Sequence, residues 1–68
     1  MRWYKDNYSK DSFKLVHKRM NYAYAFVRVD VWIIDIWSRK TRSWEEQITT
    51  YKTAAEAKAV AVALVAMQ

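Results

Sequence analysis

Residues 22–37 (YAYAFVRVDVWIIDIW) alternate between two kinds of side chain, and this pattern constrains the fold more than any other part of the chain. The odd-numbered positions are small or aliphatic, and they comprise Ala23, Ala25, Val27, Val29, Val31 and Ile33. The even-numbered positions between them carry Tyr22, Tyr24, Phe26, Arg28 and Asp30. Because successive side chains of a β-strand point to opposite faces, the stretch predicts a strand with one aliphatic face and one aromatic, charged face.

The alternation changes phase towards the end of this stretch. Trp32, Ile34 and Ile36 are apolar at even positions, and Asp35 interrupts the odd-numbered face. One extra residue in a strand reverses the facing of everything after it, so we expect a bulge or bend near residues 30–35. The chain contains neither glycine nor proline, so ordinary residues must make this break.

Two shorter segments are predicted to pair with the long strand. Residues 13–19 alternate well enough for a strand, and the turn after them would use Asn21, a residue type that tolerates turn dihedrals. Trp37 and Trp44 bracket a polar loop, which is typical of a cross-strand pair that closes a hairpin. β-Branched residues favour a third strand over 44–51.

The two ends of the chain give different signals. Residues 1–12 have no period, and we expect a partly ordered arm there, with a loop or a short edge strand as the alternatives. Thr53 and Glu56 form a capping-box pattern before an alanine-rich segment, which predicts a helix over 54–67. The whole chain is therefore predicted to be one α+β domain, a three-stranded antiparallel sheet packed on one C-terminal helix (β-β-β-α).

The predicted helix is apolar on most of its sides, since Glu56 and Lys58 are the only charged residues over 54–67. A helix of this kind is either buried on more than one side or packed on a partner. We therefore hypothesise a homodimer formed through the C-terminal helix.

Composition limits the class of protein. The 68 residues include no cysteine, so neither a disulfide nor a thiolate metal site is available. The first residues do not resemble a signal peptide, and the apolar run over 59–67 would cover about half of a bilayer. These features predict a soluble, cytoplasmic protein. The net charge of +5 suits either a polyanion or an acidic protein surface, and a solubilising balance of charge is the simpler alternative.

The chain offers little to catalysis. His17 is its only histidine, and there is no glycine loop that could cradle a phosphate. Glu45 and Glu46 are adjacent, so in a strand they face opposite sides. No catalytic residue, metal site or cofactor is expected, and we predict a protein that is not an enzyme.

Basic residues interleaved with aromatic ones are the feature that remains. Cations attract phosphates, and aromatic rings stack on bases or pack against sugars. The alternative is a second small hydrophobic cluster, covered by the N-terminal arm, with solvated cations around it. The candidate residues for binding nucleic acid or another partner are Lys18, Arg19, Tyr22, Tyr24, Phe26, Arg28, Arg39, Lys40, Arg42 and Trp44.

Three short motifs resemble the plant AP2/ERF DNA-binding domains. They are WIIDI at 32–36, RSW at 42–44 and YKTAAEA at 51–57, and they follow the order of W-x-x-E-I, R-x-W and F-x-T-x-E-E-A-A in that family. The arm-binding domains of tyrosine integrases are similar at the same level. The resemblance implies a three-stranded sheet packed on one helix, with the sheet in the major groove. It also implies that Arg42 and Trp44 contact DNA.

Two functions follow as hypotheses. The first is a small DNA-binding module that uses its sheet face and its basic hairpin loop. The second is a small phage-type inhibitor or adaptor that binds and blocks a host protein, with anchors at Trp3, Tyr22, Tyr24, Phe26 and Trp37. Acidic residues on the same face as the basic ones would favour the protein partner, and the residues that decide are Asp30, Asp35, Glu45 and Glu46.

Overall fold

A computed structural model describes residues 1–6 and 11–68 of the chain. The elements in chain order are β1 (Arg2–Lys5), β2 (Ser12–His17), β3 (Met20–Arg28), β4 (Val31–Ser38), β5 (Ser43–Glu46) and α1 (Ala54–Ala66). The strands form one antiparallel sheet in which each pairs with its neighbour in sequence. The predicted α+β class is confirmed, but the sheet has five strands where three were predicted.

Residues 22–37 belong to a hairpin, so the prediction of a single long strand was wrong. β3 and β4 are joined at Val29 and Asp30, and Val29 has a φ of 60°. Odd residues of β3 lie opposite even residues of β4, as in the pair of Ala25 and Ile34. The change of phase thus comes from a two-residue turn, where a bulge or bend was expected. Glycine normally marks such a turn, and a valine in its place left no sequence signal.

The outer strands also differ from the expectation. Arg2–Lys5 form an edge strand, the third of the possibilities considered for residues 1–12, while residues 7–10 of that segment lie outside the described residues. β5 ends at Glu46, so it is shorter than the predicted strand over 44–51. The chain returns to the sheet at Tyr51, whose backbone N–H and C=O both bond the backbone of Trp32, at 2.9 and 2.7 Å.

The hydrophobic core lies between α1 and the face of β2, β3 and β4 that carries the small side chains. Alanines on both sides allow a close approach of the helix to the sheet. Leu15 and Ile34 are the largest side chains buried there. The buried cluster consists of Leu15, Ala23, Ala25, Ile34, Ile36, Ala57 and Ala61.

The predicted aliphatic face of residues 22–37 is confirmed for Ala23 and Ala25 only. Val29 is 88% exposed in the β3–β4 turn. Val31 and Ile33 lie opposite Arg28 and Phe26 on the other face, because the hairpin reverses the phase.

The helix begins where the capping pattern predicted. Thr53 Oγ1 accepts a hydrogen bond from the Glu56 backbone N–H at 3.2 Å, and the Thr53 hydroxyl donates to Glu56 Oε1 at 3.2 Å. The carboxylate therefore bonds the hydroxyl of Thr53, whereas a full capping box would have it accept from the Thr53 backbone N–H. At the other end Gln68 Nε2 donates to the Trp37 carbonyl at 3.0 Å, which holds the end of the helix against β4. Within residues 1–6 and 11–68, no helix has the length and apolar character needed to cross a bilayer.

Candidate binding surfaces

The antiparallel order of the sheet places two basic turns at the same end of the molecule. The β2–β3 turn and the β4–β5 loop both close hairpins at this end, because one complete hairpin lies between them. Their centres are two strand spacings apart, or about 10 Å. We call this surface the basic end, and it consists of the exposed residues Lys18, Arg19, Arg39, Lys40 and Arg42.

The backbone at the basic end is held in uncommon conformations. The prediction of a turn at Asn21 was wrong, because Asn21 lies within β3 and the turn consists of Lys18 and Arg19. These two residues have φ values of 51° and 65°, as in the type I′ turn that matches the twist of a hairpin. Residues with a Cβ atom pay about 1–2 kcal/mol each for left-handed dihedrals, and Asn-Gly is the preferred pair. In the second loop Arg42 has a φ of 54°, and its N–H donates to the Ser38 carbonyl at 2.8 Å.

Negative charge is sparse around the basic end. Glu45 is the nearest acid in sequence to the β4–β5 loop, and it accepts a hydrogen bond from the Thr41 hydroxyl at 3.2 Å. Asp30 occupies the turn at the opposite end of the sheet, and Glu56 lies in the first turn of α1, also at that far end. The described part of the domain is therefore polarised along its strands, with most of its turn cations at one end.

The face of the sheet opposite α1, which we call the open face, carries both signs of charge. Lys14, Tyr24, Asp35 and Glu46 lie side by side in register across β2 to β5. Arg28 Nη2 lies 3.2 Å from Glu46 Oε1 in an exposed ion pair. Asp35 and Glu46, two of the four acidic residues that were to decide between a DNA and a protein partner, thus lie on the same face as basic and aromatic residues.

An aromatic cluster adjoins this row of residues. The ring of Trp44 lies 4.9 Å from that of Tyr24 and 5.5 Å from that of Trp37, measured between centroids. Trp37 and Trp44 face each other in the register, so the predicted cross-strand pair is confirmed. Trp44 remains 41% exposed, which leaves part of its indole available to a partner.

Asp35 is the least well satisfied polar residue of the open face. Its Oδ1 is buried and has no hydrogen-bond partner among the described residues. Burial raises the pKa of this carboxyl, the charge of Glu46 raises it further, and Arg28 acts in the opposite direction. Asp35 lines a concavity of about 620 Å³ together with Tyr24, Phe26 and Arg28.

The structure separates the ten candidate residues into groups. Five of them form the basic end, and Tyr24, Phe26, Arg28 and Trp44 lie on the open face. Tyr22 differs from the other candidates, because a β-bulge leaves it without a cross-strand partner and its half-buried side chain packs against the core cluster. Its ring lies 6.2 Å from that of His17.

Trp3 does not lie where the hypothesis of a partner anchor needs it. It packs against the core under α1, so its ring is not on the open face. Lys14 lies directly opposite Tyr24 on the open face, and the even-numbered phase of β2 is the sequence signal that places it there. The position of Asp35 follows only once residues 22–37 are known to be a hairpin.

Comparison with known proteins adds no relative to this description. No family model matches the chain, and no curated protein or solved structure is significantly similar to it. The likeness to AP2/ERF domains therefore rests on the three short motifs alone.

Proposed function

We propose that this protein is a small non-enzymatic module that binds DNA through its basic end. The observation that supports the proposal is the convergence of two cationic turns, separated in sequence by residues 20–38, at one end of the sheet. The centres of the two turns are about 10 Å apart, which is close to the Debye length at 0.1 M salt, so the potentials of their cations add at a nearby phosphate backbone. Such contacts position a protein on nucleic acid without reading its sequence.

In this proposal the open face does not enter the major groove. If the open face entered the groove, Asp35 and Glu46 would face the DNA phosphates, and Arg28 already pairs with Glu46. The mode of binding therefore differs from the one that the AP2/ERF resemblance implies. Arg39, Lys40 and Arg42 would contact phosphates, and Trp44, next to the same loop, would pack against the sugar-phosphate backbone.

The salt dependence of binding tests the proposal directly. A labelled DNA duplex is titrated by fluorescence anisotropy at several salt concentrations between about 50 and 200 mM, the range over which phosphate contacts weaken steeply. Each phosphate neutralised contributes about −0.9 to the slope of log K against log salt, so loss of Arg39 and Lys40 to glutamine should make the slope shallower by about 2. A flat response of the wild type, or no binding to any duplex at low salt, rejects the proposal.

Turn variants separate binding from folding. Lys18→Asn with Arg19→Gly supplies the preferred type I′ pair, so the variant should unfold at higher urea concentration and yet bind DNA more weakly. Val29→Gly is the matched control, since it relieves a positive φ in a turn at the far end and leaves charge unchanged. Equal DNA affinity of the two variants would exclude a role for the β2–β3 turn.

A second candidate function is favoured by the open face. Its mixture of carboxylates, an ion pair and a partly exposed tryptophan resembles a protein contact surface more than a nucleic-acid surface. This supports the proposal of a small inhibitor or adaptor that blocks a host protein. Capture of a partner from nuclease-treated lysate should then survive the Arg39→Gln and Lys40→Gln changes and be lost with Tyr24→Ala, which changes the open face alone. The reverse pattern would assign binding to the basic end.

A further inference from the structure

We propose that the open face holds a site for one cationic side chain of a protein partner, a lysine ammonium or an arginine guanidinium, at Asp35. The site, called here the cation pocket, is formed by Asp35, Tyr24 and Phe26. It is independent of DNA binding, because it shares no residue with the basic end. It rests on the second candidate function, and it specifies the group that the protein partner would present, namely a lysine or arginine side chain.

The first step of the argument is the unpaired oxygen of Asp35. Oδ1 is buried and lacks a hydrogen-bond donor among the described residues. Buried polar atoms in proteins are nearly always paired, and an exception calls for a physical reason. A donor brought by a partner would satisfy this oxygen.

The side chains around Asp35 do not supply that donor. Glu46, its neighbour on β5, is itself a carboxylate. Arg28 directs Nη1 and Nη2 to the two Glu46 oxygens, at 3.5 and 3.2 Å. The hydroxyl of Tyr24 accepts from Asn21 Nδ2 at 3.1 Å and makes no hydrogen bond with Asp35 Oδ1.

The charge and shape of the surroundings specify a cation. Asp35 and Glu46 place two carboxylates side by side, and Asp6 also lines the concavity. The nearby cations are Arg28, which lines it from β3, and Lys14, which lies opposite Tyr24 on β2. The concavity of about 620 Å³ has room for a long side chain. Aromatic rings beside a carboxylate are the arrangement that binds ammonium and guanidinium groups, through the ring face and a charge-assisted hydrogen bond.

Arg28 shows this chemistry within the chain itself. Its guanidinium carbon lies 5.5 Å from the Phe26 centroid while the same group pairs with Glu46. A partner cation at Asp35 would repeat the combination further along the same two strands, against Tyr24, which lies opposite Asp35 in the register.

The test is an NMR titration of the whole protein with small probes. N-acetyl-lysine amide and N-acetyl-arginine amide are the cationic probes, and N-acetyl-norleucine amide is the uncharged control of similar shape. We expect saturable shifts of the Asp35 side-chain carboxyl carbon and the Tyr24 ring with both cationic probes, and none with norleucine. Equal shifts with norleucine, or no saturable shift at Asp35, would overturn the inference.

Variants establish whether the carboxylate itself binds. Asp35→Asn keeps the shape of the side chain and should weaken the cationic probes about tenfold or more, the loss expected for one charge-assisted hydrogen bond. Asp30→Asn removes the same charge at the far turn and should leave affinity unchanged. If Asp35→Asn disturbs the amide spectrum, Phe26→Leu serves as the second variant and should also weaken binding. Shifts at Asp35 on addition of a DNA duplex, with none from the cationic probes, would contradict the inference.

Discussion

The Nζ of Lys58 lies 3.5 Å from the centroid of the Phe13 ring and 5.9 Å from that of Trp3. This single helix residue therefore joins α1 to both β1 and β2. A cation over an aromatic face contributes about 0.5–2 kcal/mol, depending on how far it is desolvated. Lys58→Met keeps the apolar stem, so it should lower the free energy of unfolding by an amount in this range, measured by urea denaturation. Lys52→Met, at an exposed position, is the control, and equal effects of the two changes would show that the ring contact contributes nothing.

The close approach of α1 to the sheet depends on alanine at the contact. Ala61 is completely buried, whereas Ala59 in the same helix is exposed. Ala61→Leu should destabilise the fold by about 1–3 kcal/mol, because added volume forces the helix away from the strands. Ala59→Leu should change the urea midpoint little. A well-tolerated Ala61→Leu would mean that the helix can shift without loss of packing.

The N-cap of α1 gives a separate prediction. Thr53 Oγ1 accepts the Glu56 N–H, one of the backbone donors that a helix leaves free at its start. Thr53→Ala should cost about 1 kcal/mol in the free energy of unfolding. Thr50→Ala, in the exposed connection before the helix, supplies the comparison. Thermal unfolding followed by circular dichroism measures the stability of both variants. Identical melting temperatures would show that the N-cap hydrogen bond does not stabilise the protein.

Asp35 predicts a pH dependence of stability with a defined sign. Its pKa is raised in the folded state, chiefly by burial, so the folded protein holds this proton more tightly than the unfolded chain. The free energy of unfolding should therefore fall as pH rises from the ordinary value of 3.8 through the raised pKa. Asp35→Asn should remove this part of the dependence, and it should stabilise the protein more at neutral pH than below pH 3.8. If the free energy of unfolding of Asp35→Asn falls with pH as steeply as that of the wild type, other carboxyl groups cause the effect.

Several local features could be predicted from residue order alone. The helix and its start at Thr53 followed from capping chemistry and alanine content, since both act over a few residues. The pairing of Trp37 with Trp44 followed from the loop between them. The burial of Ala23 and Ala25 followed from strand alternation and the need to cover an aliphatic face.

The hairpin at Val29 could not be predicted in this way. Turns are recognised by glycine, asparagine or proline, and here a β-branched residue adopts a positive φ because the strands on either side require it. The strand count, and the face on which Asp35 lies, both depended on that turn. The edge strand Arg2–Lys5 was equally hidden, because its conformation comes from pairing with β2 and its own sequence has no period.

Local chemistry thus specified the helix, several of the extended segments and the burial of Ala23 and Ala25 under the helix, since alternation, capping and propensity act between near neighbours in the chain. Non-local pairing decided where the charges lie. Two basic turns share one end only because an intact hairpin returns the chain between them, and Asp35 meets Glu46 only because β4 and β5 are in register. Both candidate surfaces arise from strand order, which depends on contacts between residues far apart in sequence.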